Sequence, residues 1–144
     1  MKRKLTLLVV LVAAIVLSGC GQKSGLEILD PWVRPAPLAG GNGAGYMAIR
    51  NHETVPDTLL SVSVTFAEMA EVHETLSTGE DTMTMQPVGP LEIPSNGSVV
   101  FEPGSYHVML MNIAEPLEPG QTVTLVLTFE RAGTVEVQAE VRAE

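Results

Sequence analysis

Four residues have the types and the spacing to hold a soft metal ion: His73, Met85, His107 and Met109. His107 and Met109 stand at i and i+2, and on a strand such positions share a face. One strand can therefore offer an imidazole and a thioether side by side, while Val108 and Leu110 turn the other way into a core. His73 falls near the end of one predicted strand and Met85 on the next. The stretch Ser77-Thr78-Gly79-Glu80-Asp81 between them reads as a turn, so the two strands form a hairpin and the pair becomes neighbours. Thioether sulfur is neutral and polarizable, which suits Cu(I). Imidazole is the commonest metal ligand. Zinc sites take Cys, His or carboxylate. Two His with two Met thus favour copper over zinc or iron. Neutral donors also suit binding weak enough for hand-over, and methionine avoids the exchange chemistry of thiols.

Packing explains other residues of the same types. Met47, in Gly45-Tyr46-Met47-Ala48-Ile49, reads as core, and His52, in Asn51-His52-Glu53, as a turn residue. Met83 shares the face of Met85, and Met111 that of Met109, so each is a candidate spare ligand. Spacing alone leaves a copper site and a metal-free sandwich both open.

The elements that must position these side chains are strands. In 122–129, Val123, Leu125, Leu127 and Phe129 alternate with polar or smaller residues. In 135–141, Val135, Val137, Ala139 and Val141 alternate with Glu136, Gln138 and Glu140. Period-2 alternation marks half-buried strands. Further predicted strands cover 26–33, 46–51, 58–65, 70–76, 82–88, 97–101 and 106–112, separated by Gly-, Pro- and Asn-rich turns. About nine short strands at this spacing indicate an antiparallel sandwich or barrel. Residues 66–70 could hold a helical turn, with Met69 a candidate for the core. The glycines between Ala39 and Gly45 read as a flexible loop.

The N-terminus bears on location. Lys2, Arg3 and Lys4 precede a short apolar run, 5–17, and then Leu17-Ser18-Gly19-Cys20. A basic start with an apolar run too short for a bilayer reads as a secretory signal. The small residues before Cys20 resemble a lipoprotein cleavage box, with Cys20 lipidated and leading the mature chain. The expected organisation is a signal peptide at 1–19, a lipidated cysteine and tether at 20–25, and one β-domain at 26–144. Such a chain is exported and held by lipid on the extracytoplasmic side of a membrane, in the periplasm or at the cell surface. Cys20 is the single cysteine, so no internal disulfide and no CxxC chemistry can form. Losing Lys2, Arg3 and Lys4 from the eight basic residues leaves five against 17 acidic ones, a net charge of −12. That disfavours nucleic acid and favours cations or a basic protein face.

The residues also resemble a known family. Tyr106-His107-Val108-Met109-Leu110-Met111 is similar to the signature of PCuAC-type periplasmic copper chaperones, whose pattern is H-x10-M-x21-H-x-M. Met85 and His107 are separated by 21 residues, and His107-Val108-Met109 completes the pattern. Met83-Thr84-Met85-Gln86-Pro87-Val88 resembles the family's M-x-M-x-P-V stretch. Pro31-Trp32-Val33-Arg34 and Gly45-Tyr46-Met47 resemble its N-terminal part. One departure stands out: 11 residues, not 10, separate His73 from Met85, and the strict count lands on Thr84. The turn at 77–81 is the place where an extra residue is absorbed cheaply. The resemblance implies a cupredoxin-like Greek-key β-sandwich and copper, mainly Cu(I), on His73, Met85, His107 and Met109. It also implies supply of the CuA centre of cytochrome c oxidase as the candidate destination, although fold and ligands do not name an acceptor. No Ser/His/Asp set, paired carboxylates or phosphate loop emerges, so the expectation is a carrier and not an enzyme. A copper buffer or resistance protein, and a metal-free interaction sandwich, are the competing expectations.

Overall fold

The computed structural model describes residues 25–79 and 82–144. The leader, Cys20, most of the tether, and Glu80 and Asp81 of the hairpin turn lie outside the described residues. Ten strands follow in chain order: β1 (Leu26–Val33), β2 (Gly43–Asn51), β3 (Asp57–Val64), β4 (Ala67–Ser77), β5 (Met83–Pro87), β6 (Leu91–Ile93), β7 (Ser98–Phe101), β8 (Tyr106–Ile113), β9 (Thr122–Phe129) and β10 (Gly133–Val141). Among the described residues there is no helix.

Hydrogen bonds run through the order β5-β4-β8-β7-β2-β1-β10-β9-β3-β6, with β8 also paired to β2. Every ladder is antiparallel except β1–β10 and β7–β8, which makes the sheet mixed where an antiparallel one was expected. The sheet folds over one core. Val33, Ile49, Leu110, Leu125, Leu127 and Val141 are each fully or almost fully buried in it. Burying a side chain of this size contributes about 1.5–3 kcal/mol.

Two expectations fail for reasons of packing. The glycine-rich stretch before Tyr46 is not all loop, because Gly43-Ala44-Gly45 opens β2 and pairs with Leu110, Met109 and Val108 of β8. A Cβ on Gly43 would come within 2.9 Å of Ile113 Cδ1, and one on Gly45 within 3.4 Å of Leu125 Cδ2. At Gly43 the closeness of a neighbouring side chain, and not flexibility, accounts for the glycine. Residues 66–70 make no helical turn either. Ala67 begins β4, and Met69 is 48% exposed and outside the core. The expected core position of Met47 and the strand alternation of 122–129 and 135–141 match the buried faces.

β8 carries two of the candidate ligands, and its place in the sheet holds them firmly. It is an interior strand, with β4 on one side and β2 and β7 on the other. Val108 and Leu110 are completely buried, so they fix which way their neighbours His107 and Met109 point. A slip of one residue would drive both out of the core.

Candidate metal centre

His107 and Met109 project from β8 on the face opposite Val108 and Leu110. The β4–β8 ladder sets His73 directly across from His107 and Glu71 directly across from Met109. The two imidazole rings lie 5.9 Å apart between centroids, tilted by 47°. β5 closes the hairpin on the outer side of β4, with Thr75 opposite Met85 and Ser77 opposite Met83. Met83 and Met85 therefore share the face of His73. Thr84 pairs with Leu76 and takes the other face. Met85, like Met83, thus presents sulfur on the donor face, despite the longer hairpin.

A recess of about 310 Å³ opens on this face, lined among others by Met83, Met85, His107, Met109, Tyr46 and Arg34. His73 borders it through its ring contact with His107 and does not line it. Met85 is 58% exposed, whereas His107 is buried. A larger cavity of about 510 Å³ beside Phe66 and Leu117 contains no soft donor. Met111 lines neither space. His52 sits apart, with its Nε2 2.8 Å from Glu27 Oε2.

The hydrogen bonds of the two imidazoles decide what they can do. Nδ1–H of His107 donates to the Ser105 carbonyl at 3.3 Å, which leaves Nε2 with its lone pair. Nε2–H of His73 donates to Glu71 Oε2 at 3.2 Å, which leaves Nδ1. Both remaining nitrogens, His107 Nε2 and His73 Nδ1, are buried without a hydrogen-bond partner. An unsatisfied buried polar atom costs about 1–3 kcal/mol. Two of them in adjacent rings call for an electron-pair acceptor. A proton is a poor one at His107. Burial pushes its pKa down, the Ser105 hydrogen bond offsets this in part, and the charges of His73 and Arg34 push it further down. A metal ion fits better, and ring N–H groups held by a carboxylate and a carbonyl are the usual outer support of histidine ligands. Among the described residues no three of His, Cys, Asp and Glu converge on one point, so the donor set depends on the thioethers.

An aromatic wall continues the same face. Trp32 and Tyr46 pack with centroids 4.5 Å apart and planes tilted by 35°. Arg34 lies over Tyr46 and Arg142 over Trp32, each 5.6 Å from the ring centroid. The sequence reading missed Glu71, Ser105 and Arg34 as parts of the site. Glu71 stands at i−2 from His73, so the alternation that links His107 with Met109 could have found it. Nothing local signals Arg34, which arrives through β1.

A family profile described as LpqE-like matches residues 26–141. The chain belongs to this family, which is of the PCuAC type. Its solved relatives share the β-sandwich. The apo PCuAC domain from PmoF1 superposes with a TM-score of 0.70 at 28% identity, covering 84% of this chain and 96% of that one. The copper-bound PCuAC domain from PmoF2 gives 0.70 and 28%, covering 84% and 95%. DR1885 from Deinococcus radiodurans, solved with Cu(I), shows the same fold with a TM-score of 0.61 at 24% identity, covering 87% and 83%. Among curated proteins, "Putative lipoprotein Lxx21020" of Leifsonia xyli subsp. xyli is 28% identical over 122 residues, 84% of this chain and 72% of its own length. RP573 of Rickettsia prowazekii is 25% identical over 111 residues, 75% of this PCuAC-type chain and 61% of its own length.

Proposed function

We propose that this chain is an extracytoplasmic copper carrier. It takes Cu(I) on His73 Nδ1, His107 Nε2 and the thioethers of Met85 and Met109, and gives it up by ligand exchange. The observation that carries this reading is the pair of buried, unpartnered imidazole nitrogens on the same face as those thioethers. The copper in the PmoF2 domain supports the choice of metal. Thioethers select Cu(I) over harder ions. Glu71 and the Ser105 carbonyl orient the two rings, and Val108 and Leu110 anchor the strand that presents His107 and Met109. The exposed Met85 side chain is the donor an incoming acceptor meets first. The chain is a carrier and not a catalyst on this reading, with the CuA centre of cytochrome c oxidase as its proposed recipient. The name of the Leifsonia relative supports lipid attachment at Cys20.

The test is a Cu(I) titration against a competing chelator, alongside the double variant His107→Ala/Met109→Ala. Tight binding that the variant loses supports the site. Equal weak binding by both would discard it. Transfer to an apo CuA fragment then separates a carrier from a buffer, which would hold copper without passing it on.

A further inference from the structure

The strands that present the two histidines carry a second set of soft donors. Reading along the β4–β8 ladder, Met69 lies opposite Met111, Glu71 opposite Met109, and His73 opposite His107. Directly opposed residues share a face with Cβ atoms about 4.5–5.5 Å apart. The same face thus offers two thioethers, then a carboxylate with a thioether, then two imidazoles. Successive rungs are about 7 Å apart, two residues of strand rise.

An exposed methionine is by itself unremarked surface. Here, however, neither Met69 nor Met111 belongs to the core, which closes without them. Met69 is 48% exposed and Met111 is half-buried, so neither side chain is locked in the core. Met109 is one rung away on the same strand as Met111. The long, unbranched thioether side chain is flexible enough for the three to bend toward one ion.

We propose that Met69, Met111 and the shared Met109 form a second Cu(I) station. It rests on the copper function proposed above and extends it. Copper moves between the stations as Cu(I), with no change of oxidation state. The bonds to the Met111 and Met69 sulfurs form in turn as those to Met85, His107 Nε2 and His73 Nδ1 break, and Met109 remains bound throughout. Glu71, opposite Met109, places a carboxylate between the stations and favours a cation there. The second station is all thioether and more open than the first. It is the weaker of the two and holds a second ion beside the first.

The experiment follows the methionine methyl groups by NMR, using the full chain in mild detergent with labelled methionines and Cu(I) added without oxygen. The first equivalent is expected to move Met85 and Met109, and the second Met69 and Met111, while the buried Met47 stays still. Met69→Leu/Met111→Leu is expected to keep the first event, lose the second, and lower the stoichiometry from two to one. Movement of Met85 with Met69 and Met111 unmoved through two equivalents overturns the second station alone. An unmoved Met85 overturns the copper reading and this inference with it. Shifts at Met69 and Met111 that appear only at copper levels saturating free N-acetylmethionine mark adventitious binding and overturn the station too.

Discussion

Oε2 of Glu71 lies 3.2 Å from Nε2 of His73, two residues further along the same strand and on the same face. This contact selects which nitrogen of His73 is free. Removing it lets the ring rotate and both tautomers form. Glu71→Ala is expected to weaken Cu(I) binding about 10-fold or more, as losses of such outer partners do. Glu71→Gln, which can still accept from Nε2–H, recovers most of it. Chelator competition on both variants checks this, and equal affinity in all three proteins would remove Glu71 from the site.

His107 makes the opposite case, because its unpartnered nitrogen weakens the fold. His107→Leu replaces a buried polar ring with an apolar side chain. The metal-free variant is expected to gain about 1 kcal/mol, a few degrees in melting temperature for a domain of this size. Copper-induced stabilisation should vanish in the same protein. Thermal unfolding with and without Cu(I) reads both effects, and a less stable apo variant would contradict the account.

Asp57 governs acid stability on the far side of the sandwich. Burial alone would raise its pKa, but backbone N–H groups of Arg131, Ala132 and Thr58, with the charge of Arg131, hold it below the usual carboxylate value. A depressed folded pKa gives stability that is complete above the unfolded value, about 3.9, and lost as pH falls through the folded value. Asp57→Asn is expected to cost about 1–3 kcal/mol at neutral pH. It should also flatten the fall in stability below about pH 4. Denaturant midpoints measured across pH 2–7 report both.

Gly45 tests the packing of the core. Leu125 of β9 places its Cδ2 3.4 Å from the position a Cβ on Gly45 would occupy. Gly45→Val is expected to destabilise by about 1–3 kcal/mol through overpacking. Because Gly45 pairs with Val108, the strain reaches β8, and Cu(I) affinity should fall as well. A variant of unchanged stability would refute the close approach.

Parts of this site were legible in the sequence and parts were not. Alternation exposed β8, because His107 and Met109 are separated by residues that are plainly apolar. The 21-residue distance to His107 pointed to Met85 and not Thr84, but the register that puts Met85 on the donor face came only with the β4–β5 ladder. The strand at Gly43-Ala44-Gly45 was illegible, since small residues look like a loop until a neighbour's closeness requires them. β6 escaped notice because Leu91–Ile93 is three residues long and has prolines on either side. Met69 misled because a methionine beside apolar residues looks like core, and only the register with Met111 turns it outward. Arg34 reaches the recess across strands distant in sequence, which no local pattern records.

β5 is the last strand of the sheet, hydrogen-bonded on one side alone, and all five of its residues are exposed. β8 is clamped on both sides with its inner residues fully buried. The proposed ligands are thus divided between a rigid wall and a loose jaw. Fraying of β5 disturbs little besides its ladder to β4, and elements with few buried contacts open at small free-energy cost. Met85 can swing away while His107 and Met109 keep their places. On the proposed reading, the lifetime of the bound ion follows how often that jaw breathes.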